Sequence, residues 1–355
     1  MKIALMSAWN TDSGVAVHAE PLGRAWIEMG HKLIVFSFTK DDFHGEGFTG
    51  EDEDFIVRCF GTDEGTKYFD ARPFLTSTYD IFVVEDLGVL PKDPLSRVFG
   101  LIKERAKTVH IVHENALPQD PSFYQFDWDA VVYFDERQAF LRDVYRNTHC
   151  VPFPCFPPRQ GNKEEARRKL ELPLDSKIVL SFCQRGYSLF LPERDHELED
   201  VVFLVLGPEH FDVLEKFSPD PDTVIREEEV LSKERFDDYL FASDAVILHK
   251  FQSRRHAVVS STAFQALGAG CSILVPRVSD FFRPLSSEVL RYADREELRA
   301  NLVDVLQEGP RCKEAREAAL KYTQRCCPEN IAKSYIELFD SLLEERPGRG
   351  AYWNE

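Results

Sequence analysis

The chain has 355 residues, 43% hydrophobic and 29% charged, enough for two domains of ordinary size, which excludes a small disulfide scaffold and a disordered chain. Lys and Arg number 43 against 61 Asp and Glu, a formal charge of -18, which disfavours nucleic acid and anionic membrane as partners, so any anionic ligand needs a locally basic pocket. The eight cysteines show no Cys-x2-Cys pair and no zinc-ligand spacing, no apolar run has the length of a membrane span, and the opening residues lack a signal-peptide cleavage pattern; reduced buried thiols, a cytoplasmic location and at most peripheral membrane contact are expected.

Residues 2–7 form a short apolar run, 10–14 a turn-like Asn-Thr-Asp-Ser-Gly, 17–30 an amphipathic segment and 33–38 a second apolar run. This is a β-loop-α-β unit, with Gly30 where a helix C-cap glycine belongs. Further strands are predicted at 81–84, 108–112 and 130–134; short apolar runs between helical spacers require a parallel sheet covered on both faces. The basic stretch with Arg97, Lys103, Arg105 and Lys107 reads as a surface helix packed through Val98, Phe99 and Ile102. Residues 151–161 carry four prolines, which remove backbone donors and fix φ, so the domain boundary falls there. A second α/β series follows: a charged helix at 163–170, strands at 178–182, 201–206, 245–248 and 272–275, a helix at 233–242 capped by Ser232, a short helix at 263–270, and an amphipathic helix within 328–346. The predicted fold class is α/β with two doubly wound domains, 1–155 and 156–329.

The strongest chemical signal is residues 249–256, His-Lys-Phe-Gln-Ser-Arg-Arg-His, which follow a predicted strand and precede Ser260-Ser261-Thr262 and a helix. Helix N-terminal amides and hydroxyls donate to phosphate oxygens and arginine adds bidentate contacts, so this segment is predicted to hold an anion; a solvated basic loop is the plain alternative. The loop at Gly14 lacks both the dinucleotide and the P-loop patterns and by itself is a turn. His113, followed by Glu114 and Asn115, and Arg185, followed by Gly186, lie just beyond predicted strands, where ligands of open α/β sheets gather. A lone histidine in that position is more often structural. Residues 51–54 read as a solvated charge run and Asp127-Trp128-Asp129 as a helix start or a turn, so no metal site is expected.

Ile3-Ala4-Leu5-Met6, Ser13-Gly14-Val15-Ala16-Val17-His18, Leu22-Gly23-Arg24-Ala25-Trp26 and Met29-Gly30-His31 stand in the order of a strand, a glycine loop, a helix and a second strand. With Val112-His113-Glu114 and Phe264-Gln265-Ala266-Leu267-Gly268-Ala269-Gly270, this pattern resembles the retaining glycosyltransferases of the GT-B fold, family 4. The resemblance implies two Rossmann-like domains facing a central cleft, with the closing helix 330–346 returning to the first. It further implies a sugar moved from a nucleotide diphosphate sugar, the co-substrate, to an acceptor saccharide, lipid or small molecule, without cofactor or metal. His113 would be catalytic, Ser13, Gly14 and Val15 would lie near the donor sugar and acceptor, and Gln265 would bind the ribose. Arg185, Lys250, Arg254, Arg255, Ser260, Ser261 and Thr262 would bind the donor diphosphate, with the cluster at 250–255 replacing charge that the family supplies elsewhere. Family members usually carry two glutamates eight positions apart, where this chain has Ala257 and Gln265. The alternative expectation is a catalytically degenerate relative that binds nucleotide sugars or partners an active transferase; an epimerase of the same fold is a third.

Overall fold

In β1 (Lys2–Met6) every side chain after Lys2 is buried, Ile3 and Leu5 in one apolar cluster and Ala4 and Met6 in another. A strand apolar on both faces needs helices on each side and partners on both edges, and the chain supplies them. The structure, a computed structural model, describes residues 1–45, 47–184, 187–208, 222–228, 231–251 and 259–344. The first half holds α1 (Gly14–Glu28), β2 (Lys32–Phe38), β3 (Ile56–Phe60), α2 (Ala71–Thr76), β4 (Ile81–Glu85), α3 (Lys92–Lys103), β5 (Lys107–Ile111), β6 (Ala130–Tyr133) and β7 (Thr148–Cys150). Its strands form a parallel sheet in the order β3-β2-β1-β4-β5-β6-β7. The second half holds α4 (Lys163–Lys169), β8 (Lys177–Phe182), β9 (Val201–Gly207), β10 (Thr223–Glu227), α5 (Lys233–Ala242), β11 (Ala245–Ile247), α6 (Ser261–Gly268), β12 (Ser272–Pro276), β13 (Leu290–Tyr292), α7 (Arg295–Leu306), α8 (Pro310–Arg325) and α9 (Pro328–Glu344). Its parallel sheet has the order β10-β9-β8-β11-β12-β13.

Alternation along the strands sorts their side chains into three apolar layers. Phe82 and Val84 face an outer layer on the first sheet, Val179 and Phe203 an outer layer on the second, and Ile3, Leu5, Val83, Ile178, Leu180 and Leu204 a middle layer that both sheets share. Helix α9 seals that middle layer against α1: the Trp26 ring lies 6.0 Å from Tyr335 and 5.6 Å from Phe339. Residues 151–161 form neither helix nor strand, but they are far from loose. Phe153 stacks on Phe264 of α6 at 5.2 Å, Cys155 N–H donates to the Cys326 carbonyl at 2.7 Å, and Arg159 N–H to the Gly268 carbonyl at 2.7 Å.

Three local expectations need correction. Lys107 starts β5 and is no part of a basic helix; α3 ends at Lys103, which pairs with Asp127 at 2.6 Å, while Phe99 and Ile102 are buried. Residues 51–54 are a brace: Asp52 accepts two hydrogen bonds from the Arg58 guanidinium, and Glu53 pairs with Arg24 at 2.5 Å and accepts from Trp9 Nε1 at 3.3 Å. Six of the eight cysteines are buried, but Cys150 is exposed and Cys327 half-buried.

Gly268 records how closely the linker crosses α6, since a Cβ there would stand 2.5 Å from Phe156 Cβ and 2.7 Å from the Phe156 carbonyl oxygen. Helix propensity alone favours Gly268→Ala by up to about 1 kcal/mol, whereas overpacking costs about 1–3 kcal/mol. The contact includes backbone, so the clash should win. Urea denaturation is expected to show a destabilised Gly268→Ala; equal or greater stability would mean that the linker yields.

Candidate functional site

Strand order reverses between β1 and β4 in the first sheet and between β8 and β11 in the second, the points where a crevice opens beyond the carboxyl ends of the strands. The loop after β1 is the predicted glycine loop. Ser13 caps α1, its Oγ accepting from Ala16 N–H at 3.1 Å and sharing a 3.0 Å hydrogen bond with Thr11 Oγ1. Asn10 is left-handed, with φ 53°, a conformation that costs a non-glycine residue energy unless its surroundings fix it. Its N–H donates to Glu20 Oε1 and its Nδ2 to the Glu51 carbonyl, both at 2.8 Å. Gly14 meets the second domain: a Cβ there would lie 3.5 Å from Ser261 Oγ. The first residues of α1 and α6, one helix from each domain, therefore face each other with room for no more than a small side chain between them.

Between the domains lies a cleft of about 170 Å³, with Glu20 and Arg24 of α1 on one wall and Lys233, Thr262 and Gln265 on the other. Phe156, Phe182 and Phe236 supply apolar surface. Lys233 is the first residue of α5, whose cap Ser232 accepts from Arg235 N–H at 3.2 Å as the sequence leads one to expect. Its ammonium sits 5.2 Å from the centre of the Phe156 ring, within cation–π range. Burial pushes the Glu20 carboxyl up to about 7, against the pull of the Asn10 N–H and Arg24. Neither Glu20 nor Lys233 carries a motif; both emerge only from the packing of one domain on the other.

The structure gathers some of the sequence-predicted residues and separates others. Thr262 and Gln265 share the cleft, and Ser261 faces Gly14. Ser260 is buried, its hydroxyl capping α6 at Ala263 N–H and bonded to the Tyr187 hydroxyl, so it shapes the helix end. The Val15 side chain belongs to the outer apolar layer of the first domain, leaving only its backbone for the loop. Lys250 lies with its ammonium 4.6 Å from the Tyr187 ring centre and 4.7 Å from that of Phe281. His249 before it is buried, stacked on Phe190 at 4.3 Å and bonded to the Tyr292 hydroxyl at 2.8 Å; burial lowers its pKa to about 4, so it adds no cation at neutral pH. Arg185, Arg254, Arg255 and Ala257 lie outside the described residues.

His113 follows β5 at the carboxyl edge of the first sheet, and its ring is nine-tenths buried. Its Nε2 stands 3.8 Å from Glu85 Oε2, an ion-pair distance too long for a hydrogen bond. Glu85 Oε1 accepts from His18 Nδ1 at 3.0 Å and Oε2 from Ser7 Oγ at 3.2 Å. Burial drives the Glu85 carboxyl upward, but the two imidazoles outweigh it and hold it at about 2. Burial lowers His18; it opposes charge on His113 too, yet Glu85, aided by Asp86 and Glu114, raises that imidazole above its ordinary value. Among the described residues, His18, Glu85 and His113 place one nitrogen or oxygen each within 4.8 Å of one another. Both carboxylate oxygens already have donors, so the group reads as a hydrogen-bonded ion pair.

No protein-family model matches the chain. Solved structures do. A sucrose-phosphate synthase from Thermosynechococcus elongatus is 15% identical with a TM-score of 0.66, over 97% of this chain and 99% of that one. Anabaena HepE in complex with UDP-glucose is 13% identical with a TM-score of 0.65, over 96% and 100%. The trehalose-6-phosphate synthase OtsA is 12% identical with a TM-score of 0.64, over 98% and 100%. The likeness runs the whole length of the chains and establishes the fold as GT-B, two Rossmann-like parallel-sheet domains facing a cleft.

The raised Glu20 carboxyl gives a pH dependence of known sign. The native state keeps a proton that the unfolded chain releases near its ordinary value of 4.5, so stability falls as pH rises from there towards 7. Glu20→Gln keeps an acceptor for the Asn10 N–H and removes the titration. It should gain on the order of 1–2 kcal/mol over wild type between pH 5 and pH 8, read from denaturant melts at both values. A constant difference would show that Glu20 is already ionised at pH 5.

Proposed function

We propose that this chain is a glycosyltransferase that moves a sugar from a nucleotide diphosphate sugar to an acceptor held on the first domain's side of the cleft. The observation that carries the reading is the close approach of Gly14 to Ser261, which sets two helix N-termini from opposite domains facing one another near the switch points of both sheets. Helix N-termini present unpaired N–H groups and a positive dipole end, the environment a diphosphate needs in a chain with net charge -18. The similar HepE structure is described as a complex with UDP-glucose, and the alpha-glucosyltransferase AGT, a further similar structure, as a complex with UDP, which supports a nucleotide sugar as the donor.

Heterolysis of the anomeric C–O bond puts negative charge on the leaving diphosphate. Donors fixed before the reaction stabilise that charge more than the ground state. The α6 amides with the Ser261 and Thr262 hydroxyls supply donors, and Lys250 with Arg185, Arg254 and Arg255 the positive charge. Gln265 offers its amide to the ribose, and Phe182 and Phe236 offer an apolar surface to the base. We assign retention of anomeric configuration, kinship with family 4, independence of metal and a cytoplasmic location to the same reading. Retention and the kinship rest on the sequence resemblance, metal independence on the resemblance together with a sequence that offers no carboxylate cage, and the location on the scattered cysteines and the lack of a signal-peptide pattern. A nucleotide-sugar-binding protein without turnover is the alternative.

Calorimetry with uridine diphosphate should show binding that weakens as salt screens the site. Gly14 has no left-handed φ, so Gly14→Leu is compatible with the backbone but fills the space in front of Ser261. It should lower affinity by about tenfold or more, 1.4 kcal/mol, with the melting temperature unchanged. No binding by wild type at low ionic strength would remove the proposal, and binding without turnover on a panel of nucleotide sugars would select the alternative.

A further inference from the structure

We propose that Glu20 reads the base of the donor nucleotide across the domain boundary: its Oε2 accepts from the ring N–H of a uracil, and Lys233 donates to a carbonyl beside that N–H. This deepens the glycosyltransfer reading above and rests on it. The evidence is the accounting of polar groups around the cleft. Arg24 is committed to Glu53 at 2.5 Å and lies over the Trp9 ring at 5.6 Å, and Asp12 Oδ1 accepts from Gly47 N–H at 3.2 Å. Glu20 gives only Oε1, to the Asn10 N–H at 2.8 Å. Among the described residues no hydrogen bond or ion pair engages Glu20 Oε2, the Lys233 ammonium or the Gln265 side-chain amide. All three line one cleft with Phe156, Phe182 and Phe236. Uncommitted polar groups that converge on an apolar cleft are the pattern of a small-molecule site. A purely structural role does not account for Glu20, because the Asn10 N–H needs one acceptor, which a glutamine amide supplies without a charge to bury.

Positions along the two helices set the order of the ligand's parts. At the rise of an α-helix, Gln265 stands about 6 Å along α6 from Ser261, and Glu20 about 9 Å along α1 from Gly14. Both open on the same cleft. A nucleotide with its diphosphate at the facing helix ends and its ribose at Gln265 therefore carries its base to Glu20 and Lys233, against the apolar surface of Phe182 and Phe236.

Hydrogen-bond patterns choose the base. A carboxylate oxygen and an ammonium facing one cleft present one acceptor and one cluster of donors. Uracil matches them with a single N–H flanked by carbonyls and has no donor left over. Guanine brings a ring N–H and an amine to one free oxygen, and cytosine and adenine carry a bare ring nitrogen, an acceptor, where uracil has its N–H. The charged groups that face Glu20 are Arg24 on its own helix and Lys233 on α5, which favour the carboxylate, and Glu53, which opposes it. Above the value of about 7 that burial gives it, Glu20 is the anionic acceptor that an N–H needs.

The test is calorimetry on the full chain at pH 8 with uridine diphosphate, its N3-methyl analogue and cytidine diphosphate. Wild type should bind uridine diphosphate about tenfold or more tighter than either of the others, the loss expected for a hydrogen bond to a charged group. In Glu20→Gln the side-chain oxygen stays with the Asn10 N–H and the amide NH2 turns to the cleft, where it opposes the uracil N–H and suits the bare nitrogen of cytosine. The preference for uridine over cytidine diphosphate should then fall by about tenfold or more. Lys233→Met should weaken uridine diphosphate by about fivefold and keep the discrimination against the N3-methyl analogue. Wild type that binds the N3-methyl analogue as tightly as uridine diphosphate overturns the proposal without any variant. A folded Glu20→Gln that loses affinity equally for all three ligands, or keeps the wild-type preference, marks a merely structural role and overturns it, and so does undiminished affinity in Lys233→Met. No binding of any nucleoside diphosphate at low ionic strength refutes the glycosyltransfer reading itself, whereas binding that is blind to N3 methylation refutes only the assignment of Glu20.

Discussion

Everything at the cleft depends on one apolar seam. Phe153 of the linker stacks on Phe264 of α6, and Phe264 stacks on Tyr322 of α8 at 6.1 Å and 13°. Phe264 lies one helical turn from Ser261, so the stack that fixes α6 against the linker also fixes its N-terminus in front of Gly14. Because the middle layer belongs to both sheets, burying it assembles the domains as well as folding them. Stability and site geometry therefore draw on the same contacts, and packing at this density transmits small shifts.

The sequence was most legible where side chains are apolar on both faces of a strand. Runs such as 81–84 and 178–182 stand out without knowledge of their partners. The elements it did not show have physical reasons for their silence. β7 and β13 are three residues each, too short for alternation to register. β3 is interrupted by Arg58, whose guanidinium serves Asp52 and the Phe38 and Trp9 carbonyls. α8 buries Cys312, Ala315, Ala319, Tyr322 and Thr323 at helical spacing, but small and polar residues make no visible hydrophobic stripe. The N-terminal end of α6, where the sequence predicts an anion, and the glycine loop were readable because both follow strands. Glu20 was not, because its burial comes from the second domain, and Glu85 was hidden as the last residue of an apolar run.

Charge is spent locally. Arg167 is buried and donates to the Ala242, Leu174 and Ser176 carbonyls as well as to Asp244, tying α4 to the start of the second sheet. Asp244 in turn accepts from the Ile178 N–H at 2.8 Å. Arg299 links Asp195 and Glu197 to α7. With so many cations committed to intramolecular partners, backbone amides at helix ends become the natural means of holding an anion in an acidic chain.

The shared middle layer also determines how the two halves can move. Separating the sheets face to face would expose the whole seam to water. The second tie between the halves is of a different kind: Arg137 of the first domain donates to the Asp280 carbonyl of the second, in an exposed position where water can take its place. The two halves are therefore joined by a dry tie and a wet one: water is excluded from the first, and can replace either partner of the second.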